Sequence, residues 1–165
     1  MQQSPSIRKS QFHVPKRRVR VRLELAGGVV FSGSFYADQL NSTGGPGRVS
    51  DRLNDDSEPF IPLAVEDNHV LVRKSVIAIV QLEDEPWEAP HQTSKTTELN
   101  LRVKLTNGNS TRGRIVAVLP QGRSRALDYL NDHPGGFFAM ASGERRVTLV
   151  NVAHIESVTE FTPES

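Results

Sequence analysis

The chain has 165 residues, 36% of them hydrophobic and 24% charged, which fits one ordinary globular domain or two very small ones and excludes wholesale disorder. It has no cysteine, which excludes disulfides, thiolate catalysis and cysteine-based zinc sites together. Its net charge is only +1, yet residues 1–22 carry seven of the 20 basic residues (Arg8, Lys9, Lys16, Arg17, Arg18, Arg20 and Arg22) and none of the 19 acidic ones.

In chain order, residues 1–16 form a basic arm. A basic arm on an acidic body suits an anionic partner, a nucleic acid or another protein's acidic face; the plainer reading is a solvated tail. The N-terminus lacks the apolar core of a secretory signal, and no run of about 18 apolar residues follows, so a cytoplasmic protein without membrane insertion is expected.

Residues 17–82 form a first unit. Val19, Val21, Leu23 and Leu25 alternate with Arg18, Arg20, Arg22 and Glu24, the pattern of a half-buried strand. "AGG" is a tight turn, and a second strand runs through Val29–Ala37 with Gly33 inside it, where a sheet bends sharply. A short helix follows, with Ser50 as a possible cap and Val49 and Leu53 facing inward. "PFIPLAV" reads as a third strand, and "HVLVRKSVIAIVQL" as a fourth and a fifth. Residues 83–98 are a polar linker whose one large apolar residue, Trp87, would pin it to a neighbour.

Residues 99–160 then repeat the first unit. Leu25, Gly28, Gly33 and Ala37 match Leu105, Gly108, Gly113 and Ala117 at one offset of 80 residues. Arg48, Asp51, Asn54 and Phe60 match Arg125, Asp128, Asn131 and Phe137 at an offset of 77. Leu71 and Ile77 match Leu149 and Ile155. Three blocks in the same order indicate a duplication. Asn107-Gly108 is a favoured two-residue hairpin turn. The second short helix would be capped by Ser124 and turn Leu127 and Leu130 inward. Each unit has little core, so the two are expected to pack on each other or on further subunits.

No catalytic set emerges. His13, His69, His91, His133 and His154 have no metal-ligand spacing, and Asp55-Asp56 and Glu83-Asp84-Glu85 adjoin turns and the linker. "TGGPG", Thr43–Gly47, lacks the lysine and the strand-helix setting of a phosphate loop. Asp51 and Asp128 admit three roles: a carboxylate at a helix start, a partner for Arg48 or Arg125, or a ligand contact.

This layout resembles the Sm-like (Lsm-type) barrel. "VRLELAGGVVFSGSFYADQLN" is similar to that family's first block, with Gly28, Gly33, Asp38 and Asn41 in order. "VLVRKSVIAIVQL" is similar to its second, with Arg73 in the arginine position and Lys74 where glycine is expected. The second unit resembles the family in its strands only: Val118-Leu119-Pro120 replaces the aspartate, and Asn151-Val152 replaces Arg-Gly. The resemblance implies a mainly β fold of two tandem five-stranded Sm-like antiparallel barrels, each with a short helix inserted after the second strand, from a divergent bacterial branch of the class. It also implies an RNA site in the first unit, with a partial set of Tyr36, Asp38, Asn41 and Arg73 around a base and Lys74 beside it; the basic charge of Arg17, Arg18 and Arg20 would serve the phosphates.

Three functions follow as expectations. The first is a non-enzymatic scaffold acting through protein–protein interaction or self-association, since small barrels expose edge strands and Sm-like units pair edge to edge into rings. The second is binding of single-stranded RNA. The third rests on Arg18 and Arg22, whose Arg-x-x-x-Arg spacing resembles the PilZ domains that bind cyclic di-GMP; "DQLNSTGG" has the residue types of their second motif at the wrong spacing. No cofactor and no metal is expected.

Overall fold

A computed structural model describes residues 16–38, 47–83, 85, 96–118, 122, 125–143 and 145–163. The arm before Lys16, Asn41, Trp87, Ser124, His13 and His91 therefore lie outside the described residues. No helix among the described residues is long and apolar enough to cross a membrane.

The strands arise where the sequence alternates. In β1 (Lys16–Leu25), Val19, Val21 and Leu23 are buried while Arg18, Arg20 and Arg22 face out. A tight turn at Gly28, whose φ of 92° suits glycine, leads into β2 (Val30–Asp38). A short helix α1 (Val49–Leu53) buries Val49 and Leu53 as expected. It starts after Arg48, so Ser50 lies inside the helix and is not its cap. Then come β3 (Phe60–Val65), β4 (Asn68–Arg73), a single 3-10 turn and β5 (Ile77–Glu83). The same succession follows in the second half: β6 (Thr96–Leu105), β7 (Ser110–Val118), α2 (Ala126–Asp132), β8 (Phe137–Ala141), β9 (Arg146–Asn151), a 3-10 turn and β10 (Ile155–Glu160). The strand β6 thus begins inside the segment read as linker. In α2 the buried face also differs from expectation. Ala126, Tyr129 and Leu130 pack on the core, at helical i, i+3, i+4 spacing, and Leu127 is exposed.

The ten strands form one antiparallel sheet in the order β10-β6-β7-β8-β9-β5-β1-β2-β3-β4, and it is not closed into a barrel. Two separate five-stranded barrels are therefore not what the ladders show. Five strands from each half do run together, but β5 of the first half pairs with β9 of the second, Val80 opposite Leu149, and fuses the halves. Within each half the sheet bends where a glycine removes a side chain. A Cβ on Gly33 would lie 2.4 Å from the Ala64 carbonyl oxygen, and one on Gly113 would lie 2.6 Å from Cβ of Met140. At these bends the ladders thin to single pairs, Ser34 opposite Ala64 and Arg114 opposite Ala141.

Two apolar clusters interlock across the junction. The first, built on Val19, Val21, Leu23, Phe35, Ile61 and Leu63, also takes in Phe137, Val147 and Leu149 of the second half. The second, built on Leu101, Val103, Leu105 and Ile115, takes in Ala78 and Ile79 of β5. The strands at the junction are thus buried on both faces, which is why "IAIV" and "FFAMA" lose the alternation seen in β1.

Candidate functional site

The cations singled out from the sequence are mostly held within the chain. Arg17 donates from Nε and Nη2 to the Gly47 carbonyl at 3.2 and 2.7 Å, and from Nη2 to Oε2 of Glu85 at 3.2 Å. Its Nη1 also donates to Oε1 of Glu85. Arg18 Nε donates to the Ser34 hydroxyl at 2.9 Å. Arg20 stands exposed on the outer face of β1, and Arg22 reaches Gln81 at 3.5 Å. Lys16 and Asp38 form an exposed pair at 3.6 Å.

Lys74 is buried and donates from Nζ to the carbonyls of Arg52 at 2.5 Å and Asp55 at 3.0 Å. A cation there satisfies carbonyls left open at the end of α1 and complements the helix dipole. Arg52 in turn donates to the Tyr36 carbonyl at 2.7 Å. The sequence did not single out Arg52, yet it ties together two residues that the family resemblance did, Tyr36 and Lys74. Its one sequence signal is its place beside Asp51. Arg73 lies over the ring of Phe60, 5.3 Å from its centre.

The matching pairs of the two halves take structural roles that differ. Asp51 Oδ2 accepts from the Arg48 backbone N–H at 3.2 Å and closes the first turn of α1. Asp128 instead lies 3.8 Å from Arg125 Nε, and its Oδ2 has no hydrogen bond. Asn54 acts across the junction: its Nδ2 donates to the Phe137 carbonyl at 3.1 Å, and its Oδ1 accepts from the Phe137 N–H at 2.7 Å. Its counterpart Asn131 is exposed. Asn151 donates to the Ile77 carbonyl at 2.9 Å, and His154 Nε2 is 2.6 Å from the Ser75 carbonyl. Beside these contacts lies a cleft of about 550 Å³ lined by Leu53, Asp55, Arg73, Lys74, Phe137 and Asn151 among others. Its charges are mixed. Hydrogen bonds from Ser57, with the nearby charge of Lys74, hold the Asp55 carboxyl below the usual carboxylate range. No group of His, Asp and Glu that could hold a metal occurs among the described residues.

The two outer strands carry the clearest unmatched surface. Among the described residues β4 and β10 end the sheet, so each presents an unpaired side. On the β4 side Phe60 is 44% exposed and Leu71 is 69% exposed. Phe137 and Leu149 hold the same places in β8 and β9, and they are 4% and 1% exposed because β5 and the first core cover them.

No family model matches the chain, and no curated protein or solved structure matches it either.

Proposed function

We propose that the protein is a non-enzymatic interaction module, two Sm-like small barrels in tandem, that assembles head to tail with further copies of itself. The carrying observation is the contrast between Leu71 and Leu149. Among the described residues, β5 covers β9; the matching edge β4 lies bare, and the strand matching β5, β10, is bare at the other end. Repeating the internal pairing places β10 of one copy against β4 of the next, with Val158 opposite Leu71. Asn131 would then meet the Phe60 backbone as Asn54 meets that of Phe137. Such a heterologous contact either closes a ring or extends a filament.

The RNA reading is weaker because Arg17, Arg18 and Lys74 already donate within the chain. The same holds for cyclic di-GMP, whose Arg18 has Ser34 as its partner. Light scattering of the purified protein tests the proposal. Wild type should exceed the 18.3 kDa of one chain several-fold. Leu71→Lys, which puts a charge on the edge, should return it to one chain. A wild-type particle of a single chain at high concentration would refute the proposal.

A further inference from the structure

A second surface, away from the two edges, sits on the second half. β7 pairs with β6 from Ser110 to Val118 but with β8 only at Arg114. Among the described residues, Ser110–Gly113 therefore has no ladder on its other side. A cleft of about 540 Å³ opens where β8 departs, between β7, the turn at Ala141–Gly143 and the C-terminal Phe161 and Pro163. Arg112 and Arg114 line it, and no acidic residue does among the described residues. Strand alternation puts both arginines on one face, about 7 Å apart.

Among the described residues, one solvent-screened ion pair is all that offsets the charge there. Arg102 lies directly opposite Arg112 across the β6–β7 ladder, and like charges so placed weaken a ladder. Arg114 has only a half-exposed pair with Glu98 at 3.6 Å, which solvent screens. The Arg112 guanidinium lies over Phe161, 5.5 Å from the ring centre, so an aromatic wall stands beside the cations. The first half has none of this: Ser32, Ser34 and Glu83 occupy the places of Arg112, Arg114 and Phe161.

We infer that this cleft docks an extended acidic segment of a partner protein. Its backbone adds as a strand to the open side of Ser110–Gly113, and its side chains then project at the strand spacing. One carboxylate lies opposite Arg112 and a second, at the end of the segment beside Ala141, comes within reach of the long Arg114 side chain, each guanidinium able to hold a carboxylate with its planar fork. An apolar side chain of the segment rests against Phe161. This surface acts independently of the head-to-tail edges.

The test is fluorescence anisotropy at low ionic strength with a labelled octapeptide of alternating glutamate and valine. Wild type should bind it and should not bind the lysine-valine counterpart. The double variant Arg112→Ser with Arg114→Ser carries the residues that the first half accepts at the same places, so its sheet should form, as circular dichroism would verify. Its affinity should fall by about tenfold or more, the loss expected for charge-assisted hydrogen bonds. Phe161→Ala should lower affinity several-fold with the sheet intact. No binding by wild type, or equal binding by the double variant, would overturn the inference. So would displacement of the peptide by single-stranded RNA at equal affinity, since the surface would then read charge alone.

Discussion

β4 and β9 hold the same place in the two halves and have opposite environments. The first reads NHVLVR and buries only Val72; the second reads RVTLVN and buries all but its first residue. Their apolar content is similar, so composition does not explain the difference. The neighbour does: β5 pairs with β9, and among the described residues nothing pairs with the outer side of β4. Leu71 and Leu149 are one chemical choice in two settings, and the bare one is what the proposed head-to-tail contact would cover.

The largest expected effect breaks this comparison into two numbers. Leu149→Ala empties space in the first core and should cost about 2–5 kcal/mol in denaturant unfolding. Leu71→Ala removes an exposed side chain and should change the stability of the isolated chain by about 0.5 kcal/mol or less, while reducing assembly. Equal costs would mean that β4 is covered within the single chain, and the contrast would vanish.

The bends offer a second comparison. Gly33→Ala drives a methyl group into the Ala64 carbonyl, part of the backbone, whereas Gly113→Ala presses mainly on Met140. Both should destabilise by about 1–3 kcal/mol or more, because the Ala64 carbonyl oxygen and the Met140 Cβ each move only with the backbone, with Gly33→Ala the worse because its contact is closer, 2.4 Å against 2.6 Å. A third concerns the asparagines. Asn54→Ala leaves the Phe137 N–H and carbonyl without their partner and should cost about 1–3 kcal/mol. Asn131→Ala should leave the single chain nearly unchanged and weaken the head-to-tail contact, which sedimentation at several concentrations would read.

Local features were legible in the sequence, and relations between distant segments were not. The alternation of Val19, Val21 and Leu23, the Asn107-Gly108 turn and the bend at Gly33 all depend on neighbours in sequence or on period. The fusion of halves through β5 and β9 left no such mark, because a strand buried on both faces shows no alternation, only a run such as "IAIV". Leu127 was read as inward because helix phase hinges on a start that the sequence left open; one residue's shift moves the face to Ala126, Tyr129 and Leu130. The candidate site suffered most. Arg17 reads as a free phosphate contact until Gly47 and Glu85, far along the chain, take its donors. Lys74 reads as a departure from a glycine until the end of α1 is seen to need its charge.

The smallest expected effect compares the two helices. Arg52 anchors α1 by polar bonds to the Tyr36 carbonyl, while α2 rests on an aromatic group: Tyr129 and His133 each meet Phe138 edge-on, at 6.0 and 5.8 Å between ring centres. His133 Nδ1 is buried without a hydrogen bond, and burial lowers its pKa below the ordinary imidazole value. The unfolded chain takes up this proton near pH 6.5 and the folded chain only at lower pH, so between the two the unfolded state binds more protons. Stability from this group is complete above about pH 6.5 and declines as pH falls toward the folded value. Thermal unfolding should therefore lose a little more temperature on acidification in wild type than in His133→Gln. Parallel pH profiles would show that His133 meets solvent as freely in the folded chain as in the unfolded one. The His133 contact would then carry no weight, and α2 would be held by Ala126, Tyr129 and Leu130 on the second core and by the Ala126 N–H, which donates to Glu160 Oε1.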